Sequence, residues 1–367
     1  MGDLKRNLLR SRWLSLAEYM KSKDLGALLL TDLADVRWLT GYSGSNGAAL
    51  AITTGPPLLA TDRRYAEQAT QECPEVELVI TRELVEQLLL RLREKAVGSL
   101  GVDPNTLTLA MFRVIGAHPG MFGIRLQEIE APLGRLRMRK DIHEMEALRQ
   151  AGAIASEALG QLLETVRVGQ TEIHVARTLE AIMGDLGAAD RAFDTIVAAG
   201  VNGGCPHHSP TDHPIAAGEL VTIDFGAMVE GYRSDCTRTV IVGAEPEDWQ
   251  AEVHDVVRRA AAAARAAATP GIKTSDVDAA AREVIAEADY GEYFVHGVGH
   301  GIGLDIHEPP LLGSATKGKL HQATPFTVEP GIYLPGKGGV RIEDTCVLLD
   351  DGLEVFTTFP RKLRRVG

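Results

Sequence analysis

The stretch LVTIDFGAMVEGYRSDCTRTVIV, residues 220–242, decides the fold and most of the chemistry. Apolar Val221, Ile223 and Phe225 alternate with Thr222 and Asp224, the period of two that marks a strand. A turn near residues 229–231 sends the chain back, and the return strand sets Asp235, Thr237 and Thr239 on one face. With a two-residue turn at either plausible position, Asp224 and Asp235 share a face and lie opposite or diagonal to one another. Two carboxylates that close repel, and neither strand offers a cationic side chain on that face. The ordinary alternative is a pair of solvated aspartates on a sheet edge. A metal ion between them is the economical reading.

Three later segments strengthen it. GVRIEDTCVL (339–348) alternates in the same way, with Val340 and Ile342 on one face and Arg341, Glu343 and Thr345 on the other. TPFTVEPGIYL (324–334) puts Glu329 late in an apolar strand, where a free carboxylate is costly unless bound. HGVGHGIGLDIHE (296–308) gathers His296, His300 and His307 among glycines. The i, i+4 spacing of His296 and His300 invites comparison with HExxH zinc proteases, but Gly297 and Gly299 disfavour a helix and no Glu follows the first His. The ligand count is four carboxylates (Asp224, Asp235, Glu329, Glu343) and one imidazole (His300), with no thiolate. Such a set suits two divalent ions, manganese first and cobalt or zinc as alternatives, bridged by carboxylates. Two ions sharing a water lower its pKa and generate hydroxide for attack on a carbonyl, while spare histidines stabilise the intermediate or protonate a leaving amine.

Working outward, the N-terminal stretch alternates helix and strand. A helix over residues 4–23 precedes a buried strand at 26–31, a strand pair at 48–53 and 57–62, a strand at 77–80, a helix across 82–95 and a strand at 99–103. Near Lys140 the pattern changes. Asp141 with Glu144 predicts a capping box opening a helix to about residue 166, and Thr171 caps a second helix ending near residues 184–187. Strands follow at 219–227 and 232–242. The order then recurs: helices at 247–268 and from a cap near Ser275 to 288, then strands near 293–298, 326–334 and 339–349. Two helices then strands, twice over, predicts a duplicated α+β domain. His143, His174 and His254 fall on these helices and read as surface residues. GYSGSNG (41–47) lacks the Lys-Ser/Thr ending of a phosphate loop and reads as a turn, and Cys205 and Cys236 read as bystanders.

The 367 residues suggest two domains, and 45% hydrophobic with 24% charged residues exclude a disordered or fibrous chain. The formal charge of −12 disfavours nucleic acid and anionic membranes as partners. Four scattered cysteines without a CxxC pair suit a reducing compartment. The opening MGDLKRNLLRSRW lacks the apolar core of a signal peptide, so a cytoplasmic protein is expected.

Asp224, Asp235, His300, Glu329 and Glu343, with HGVGHGIG (296–303) and GVRIED (339–344) around them, resemble the "pita-bread" metallopeptidases. That family includes methionine aminopeptidase, aminopeptidase P, prolidase and creatinase, and the resemblance covers roughly residues 135–360. It implies an α+β architecture: a non-catalytic α/β creatinase-like domain over 1–132, then a duplicated pita-bread domain over 133–367 whose five ligands bind a dinuclear centre. It also implies roles. PHHSPTD (206–212) carries the catalytic histidine, His207, or His208 if the register shifts by one. His296 and His307 match the substrate-positioning and proton-handling histidines, and Arg341 the arginine beside the last glutamate. DVRWLTGYSGSNGAALAIT (35–53) and TDRRYAEQA (61–69) are similar to the N-terminal domain that methionine aminopeptidases lack. Creatinase works without this metal set. The resemblance therefore implies a homodimeric exopeptidase cutting the Xaa-Pro bond of small peptides with proline in second position. The GSNG and TD-R-RY segments favour an Xaa-Pro aminopeptidase, with an Xaa-Pro dipeptidase as the alternative. A catalytically silent, peptide- or protein-binding relative is the more remote one, because such relatives usually lose ligands.

Overall fold

The N-terminal unit of the computed structural model, which describes residues 2–95 and 97–367, runs to Arg137. Its six strands are β1 (Ala27–Leu30), β2 (Ala48–Ile52), β3 (Leu58–Thr61), β4 (Glu77–Ile80), β5 (Ser99–Val102) and β6 (Arg125–Glu128). They form one sheet in the order β4-β3-β2-β1-β5-β6. The β1–β2 and β2–β3 pairs are antiparallel, and the outer pairs are parallel. Strand β1 is buried along its whole length, as its run of leucines requires. A helix the sequence reading did not assign, Leu33–Thr40, is opened by the Asp32 carboxylate, which accepts from the Asp35 N–H, and closed by Gly41 at φ 80°. The turn after it wraps Tyr42, whose hydroxyl reaches the Asn46 carbonyl and Thr61.

The second unit spans Met138–Gly367 and repeats two helices followed by strands. Its strands are β7 (Asp190–Arg191), β8 (Ile196–Ala199), β9 (Leu220–Phe225), β10 (Ala227–Val229), β11 (Tyr232–Arg233), β12 (Cys236–Val242), β13 (Gly299–Gly301), β14 (Glu308–Leu312), β15 (Pro325–Val328), β16 (Gly331–Leu334), β17 (Gly338–Arg341), β18 (Asp344–Leu349), β19 (Gly352–Val355) and β20 (Arg365–Val366). Helices Ile142–Thr165 and Glu172–Asp185 share an apolar core with the sheet β20-β12-β9-β8. Helices Asp248–Ala267 and Thr274–Glu287 share a second core with the sheet β14-β13-β15-β18-β19. The short ladders β11-β10-β7 and β16-β17 complete the unit.

The Asp141–Glu144 capping box forms, and Thr171 accepts from the His174 N–H. The Ser275 cap does not. The last helix already begins at Thr274, whose N–H is taken by the Gly318 carbonyl, so no side-chain cap is needed. Residues 294–298 are not a strand, because buried Asp278 and the Arg282 beside it claim their backbone groups instead of a ladder. The strands expected at 326–334 and 339–349 each break in two, at Glu329-Pro330 and at Ile342-Glu343. His254 is also not a surface residue. It is 4% exposed on the inner face of its helix.

Candidate active site

The hairpin that begins the site is set by its turn. Glu230 and Gly231, at φ 48° and 80°, close a two-residue loop between the Val229↔Tyr232 pair. The same register runs through to Thr237↔Asp224, which places Asp235 diagonally across from Asp224 on one face. Between them the hairpin leaves one sheet for another at Gly226, where a Cβ would lie 1.8 Å from the Ser234 carbonyl oxygen. Only glycine permits that approach. Glu329 and Glu343 occupy the equivalent breaks of the second hairpin, and His300 sits at a register shift in β13. Strand breaks release side chains from strict alternation, so groups from five segments converge.

The convergence is tight. His300 Nε2 lies 3.3 Å from Glu329 Oε1 and 3.6 Å from Asp235 Oδ2. Donor atoms of Asp235, His300 and Glu343 all fall within 4.8 Å of one another. Thr237 Oγ1 donates to Glu343 Oε2 at 2.7 Å, and Thr327 Oγ1 approaches Glu329 Oε1 at 3.2 Å. His300 Nδ1 lies 3.0 Å from the Gly301 carbonyl, an arrangement that presents Nε2 to the carboxylates. Arg341 Nη2 donates to Asp224 Oδ2 at 2.6 Å.

Burial and mutual repulsion push the Asp235 carboxyl well above its usual range, with Glu343 and Asp224 the main neighbours. Glu343 is pushed up in the same way, by burial and then by Glu329 and Asp224. Burial opposes ionisation of Glu329 too, but its contact with His300 outweighs this and holds the carboxyl at about 2. Asp224 Oδ1 and Glu343 Oε1 are buried with no hydrogen-bond partner. Acceptors left bare inside a protein are costly, and a set of buried, repelling carboxylates with two bare oxygens calls for cations. The four carboxylates and one imidazole therefore fit hard divalent ions.

A cavity of about 730 Å³ opens onto this cluster, lined by Asp224, Asp235, His300, Glu329 and Arg341 among others. His207, His296 and His307 all line it. The His307 ring packs edge-on against His300 with centroids 4.4 Å apart, and burial together with His300 lowers its pKa. Tyr333 joins the site without a sequence motif to mark it. Its hydroxyl accepts from Arg341 Nη1 at 2.9 Å and lies 2.9 Å from His296 Nε2. That geometry lets the hydroxyl proton point at His296, whose Nδ1 in turn faces the Gly297 carbonyl at 2.8 Å. Tyr333 follows Glu329 by four residues in an apolar run, so nothing but its type distinguished it. His208 does not line the cavity and instead meets Glu172 at 2.8 Å.

Residues 146–350 match the model of metallopeptidase family M24, and residues 12–139 match the creatinase/prolidase N-terminal domain. The chain is 33% identical to the Xaa-Pro dipeptidase of Pyrococcus furiosus over 97% of its own length and 100% of that protein. An Xaa-Pro dipeptidase structure from Bacillus anthracis superposes with a TM-score of 0.92 at 34% identity, covering 98% of this chain and 100% of that one. The X-Pro aminopeptidase structure from Thermotoga maritima superposes with a TM-score of 0.86 at 36% identity, covering 93% and 97%.

Proposed function

The chain belongs to metallopeptidase family M24, and from that premise we propose that it hydrolyses the Xaa-Pro bond of dipeptides with divalent metal ions as cofactor. The observation that carries the reading is the buried cluster of Asp235, His300 and Glu343 with Glu329 and Asp224 beside it, opening onto one cavity. The dipeptide is preferred because full-length relatives bear that activity in their names, which outweighs the aminopeptidase preference drawn from GSNG and TD-R-RY. An aminopeptidase action on longer peptides is the second reading, favoured by the likeness to the Thermotoga maritima structure.

Asp224, Asp235, His300, Glu329 and Glu343 would hold the metal, manganese first given the oxygen-rich set. Divalent ions there supply Lewis acidity, lowering the pKa of water and polarising a carbonyl. The protein does the rest. Phe193, Ile196, Phe294, Val295 and Leu311 give the cavity apolar walls suited to a prolyl ring. Arg341 fixes Asp224 and Tyr333 in one hydrogen-bonded row, and Tyr333 orients His296. His207 faces the same cavity as His296 and His307, and we assign it to the scissile carbonyl and its developing oxyanion. His307 faces the same cavity, where its imidazole can take up a proton from water and hand it on to the departing prolyl nitrogen.

A cleavage panel with added manganese tests this reading. Xaa-Pro dipeptides should be cut and Xaa-Pro-Yaa tripeptides left largely intact. Equal or faster cleavage of tripeptides supports the aminopeptidase reading, and no cleavage of any Xaa-Pro bond overturns both.

A further inference from the structure

Glu172 is a carboxylate with no exposed surface, far in sequence from the metal-binding residues. It directly follows the Thr171 cap and opens the helix Glu172–Asp185. Acids are common in a first helical turn because they complement the helix dipole, which alone explains nothing about its burial. Its partners do. Oε1 accepts from the Ala199 N–H at 2.8 Å and from Asn202 Nδ2 at 2.9 Å. Oε2 accepts from the Thr211 N–H at 2.9 Å and its hydroxyl at 2.7 Å, and meets His208 Nε2 at 2.8 Å. These contacts outweigh the cost of burial and hold the carboxyl below its usual range.

All five contacts fall on one segment, residues 199–211, and His207 lies inside it. After the short turn Gly200–Gly204 the segment reaches Thr211 without a strand, and backbone bonds from the Ile173 N–H to the Thr211 carbonyl at 3.2 Å and from the Glu172 N–H to the His213 carbonyl at 3.3 Å pin only its far end. Among the described residues no hydrogen bond holds the His207 ring. Its position is inherited from the backbone around it, which is clamped on one side by Glu172 through Asn202 and on the other through His208 and Thr211. A second tie comes from Arg341 Nη1, which reaches the Pro206 carbonyl at 3.3 Å.

We propose that Glu172 is a positioning residue for the peptidase reaction, acting through His207 by clamping both flanks of its loop. The proposal rests on the assignment of His207 to the scissile bond. A charged acceptor is required because five donors converge on two oxygens, and a neutral amide would turn one acceptor into a donor facing donors. Displacing a group that acts in the transition state by about 1 Å costs about 10²-fold in rate, even when the change is made elsewhere.

The test is a double-mutant cycle on the manganese-loaded enzyme with an Xaa-Pro dipeptide, reading kcat, KM, metal content and Tm. Glu172→Gln should lower kcat by about 10²-fold with KM nearly unchanged and metal retained. In the His207→Ala background the same substitution should cost less than about threefold further, because the group it positions is gone. If Glu172→Gln costs the same factor in both backgrounds, or leaves kcat unchanged, the positioning role is overturned. Wild-type kcat in His207→Ala alone overturns the His207 assignment and this proposal with it, and is distinguishable because it needs no Glu172 variant. Should Glu172→Gln not fold, Thr211→Val removes one hydroxyl donor from the clamp, and the same cycle decides by whether its loss of kcat vanishes without His207.

Discussion

Asp235 is 5% exposed and meets His300 at 3.6 Å with Glu343 close by, so removing its charge has two opposed effects. Asp235→Asn relieves repulsion in the metal-free protein and weakens the hold on cations. The variant should keep or raise its metal-free Tm, while metal stoichiometry falls and turnover drops by orders of magnitude. Unchanged stoichiometry and activity would contradict the ligand assignment. His207 lines the cavity without belonging to that set, so His207→Ala should retain metal and lose about 10² to 10³ in kcat. His208→Ala reaches the rate only through Glu172 and the loop, so its loss should be smaller. The reverse order would move the catalytic donor one residue along. Asp224, Asp235 and Glu343 were legible from strand alternation, Glu329 from its place late in an apolar strand and His300 from its glycine-rich run of histidines, whereas Tyr333 and Glu172 were not. One looks like an ordinary aromatic in a strand and the other like an ordinary first-turn acid, and only the folded contacts give them a role.

The two hairpins show why elements were easier to read than their breaks. Period-two patterning marks 221–225 and 235–239, and one register runs through the whole hairpin, yet the hairpin changes sheets at Gly226. Pattern reports which face a side chain takes, not where a sheet ends. Pro330 was the one visible signal of a break, since it has no N–H to give a ladder. Gly226→Ala tests the bend. Its Cβ would meet backbone rather than a movable side chain, so a loss of about 1 to 3 kcal/mol or more is expected, with reduced metal content because Asp224 and Asp235 flank it. Equal Tm and metal content in the variant would show that the bend relaxes without cost. Helix starts were read well where the cap is a side chain, as at Asp141, and misread at Ser275 where a distant carbonyl does the same task.

Across the whole molecule, the two-helix-and-sheet order appears twice with a separate core for each half, and the N-terminal unit has its own. His254 belongs to the second of these halves. Burial, and then the Arg258 charge, lower its pKa from 6.5 to about 4. The folded state therefore keeps it neutral while the unfolded chain takes up a proton, so its contribution is present above pH 6.5 and is lost as pH falls toward 4. Between pH 7 and pH 5 this group should cost about 2 kcal/mol of stability. His254→Leu should lose correspondingly less than the parent over that interval in denaturant melts, and an identical loss would place the acid sensitivity elsewhere. Among the described residues no helix is long and apolar enough to cross a membrane. With buried carboxylates and His300 gathered on one cavity, Xaa-Pro hydrolysis should depend on bound divalent metal. The most direct test of that dependence is turnover of an Xaa-Pro dipeptide by chelator-treated protein before and after manganese is restored, beside the matching Xaa-Gly dipeptide. No turnover is expected without metal, recovery with it, and little cleavage of the glycine analogue at any stage. Turnover that survives chelation, or that no divalent ion can restore, would contradict it.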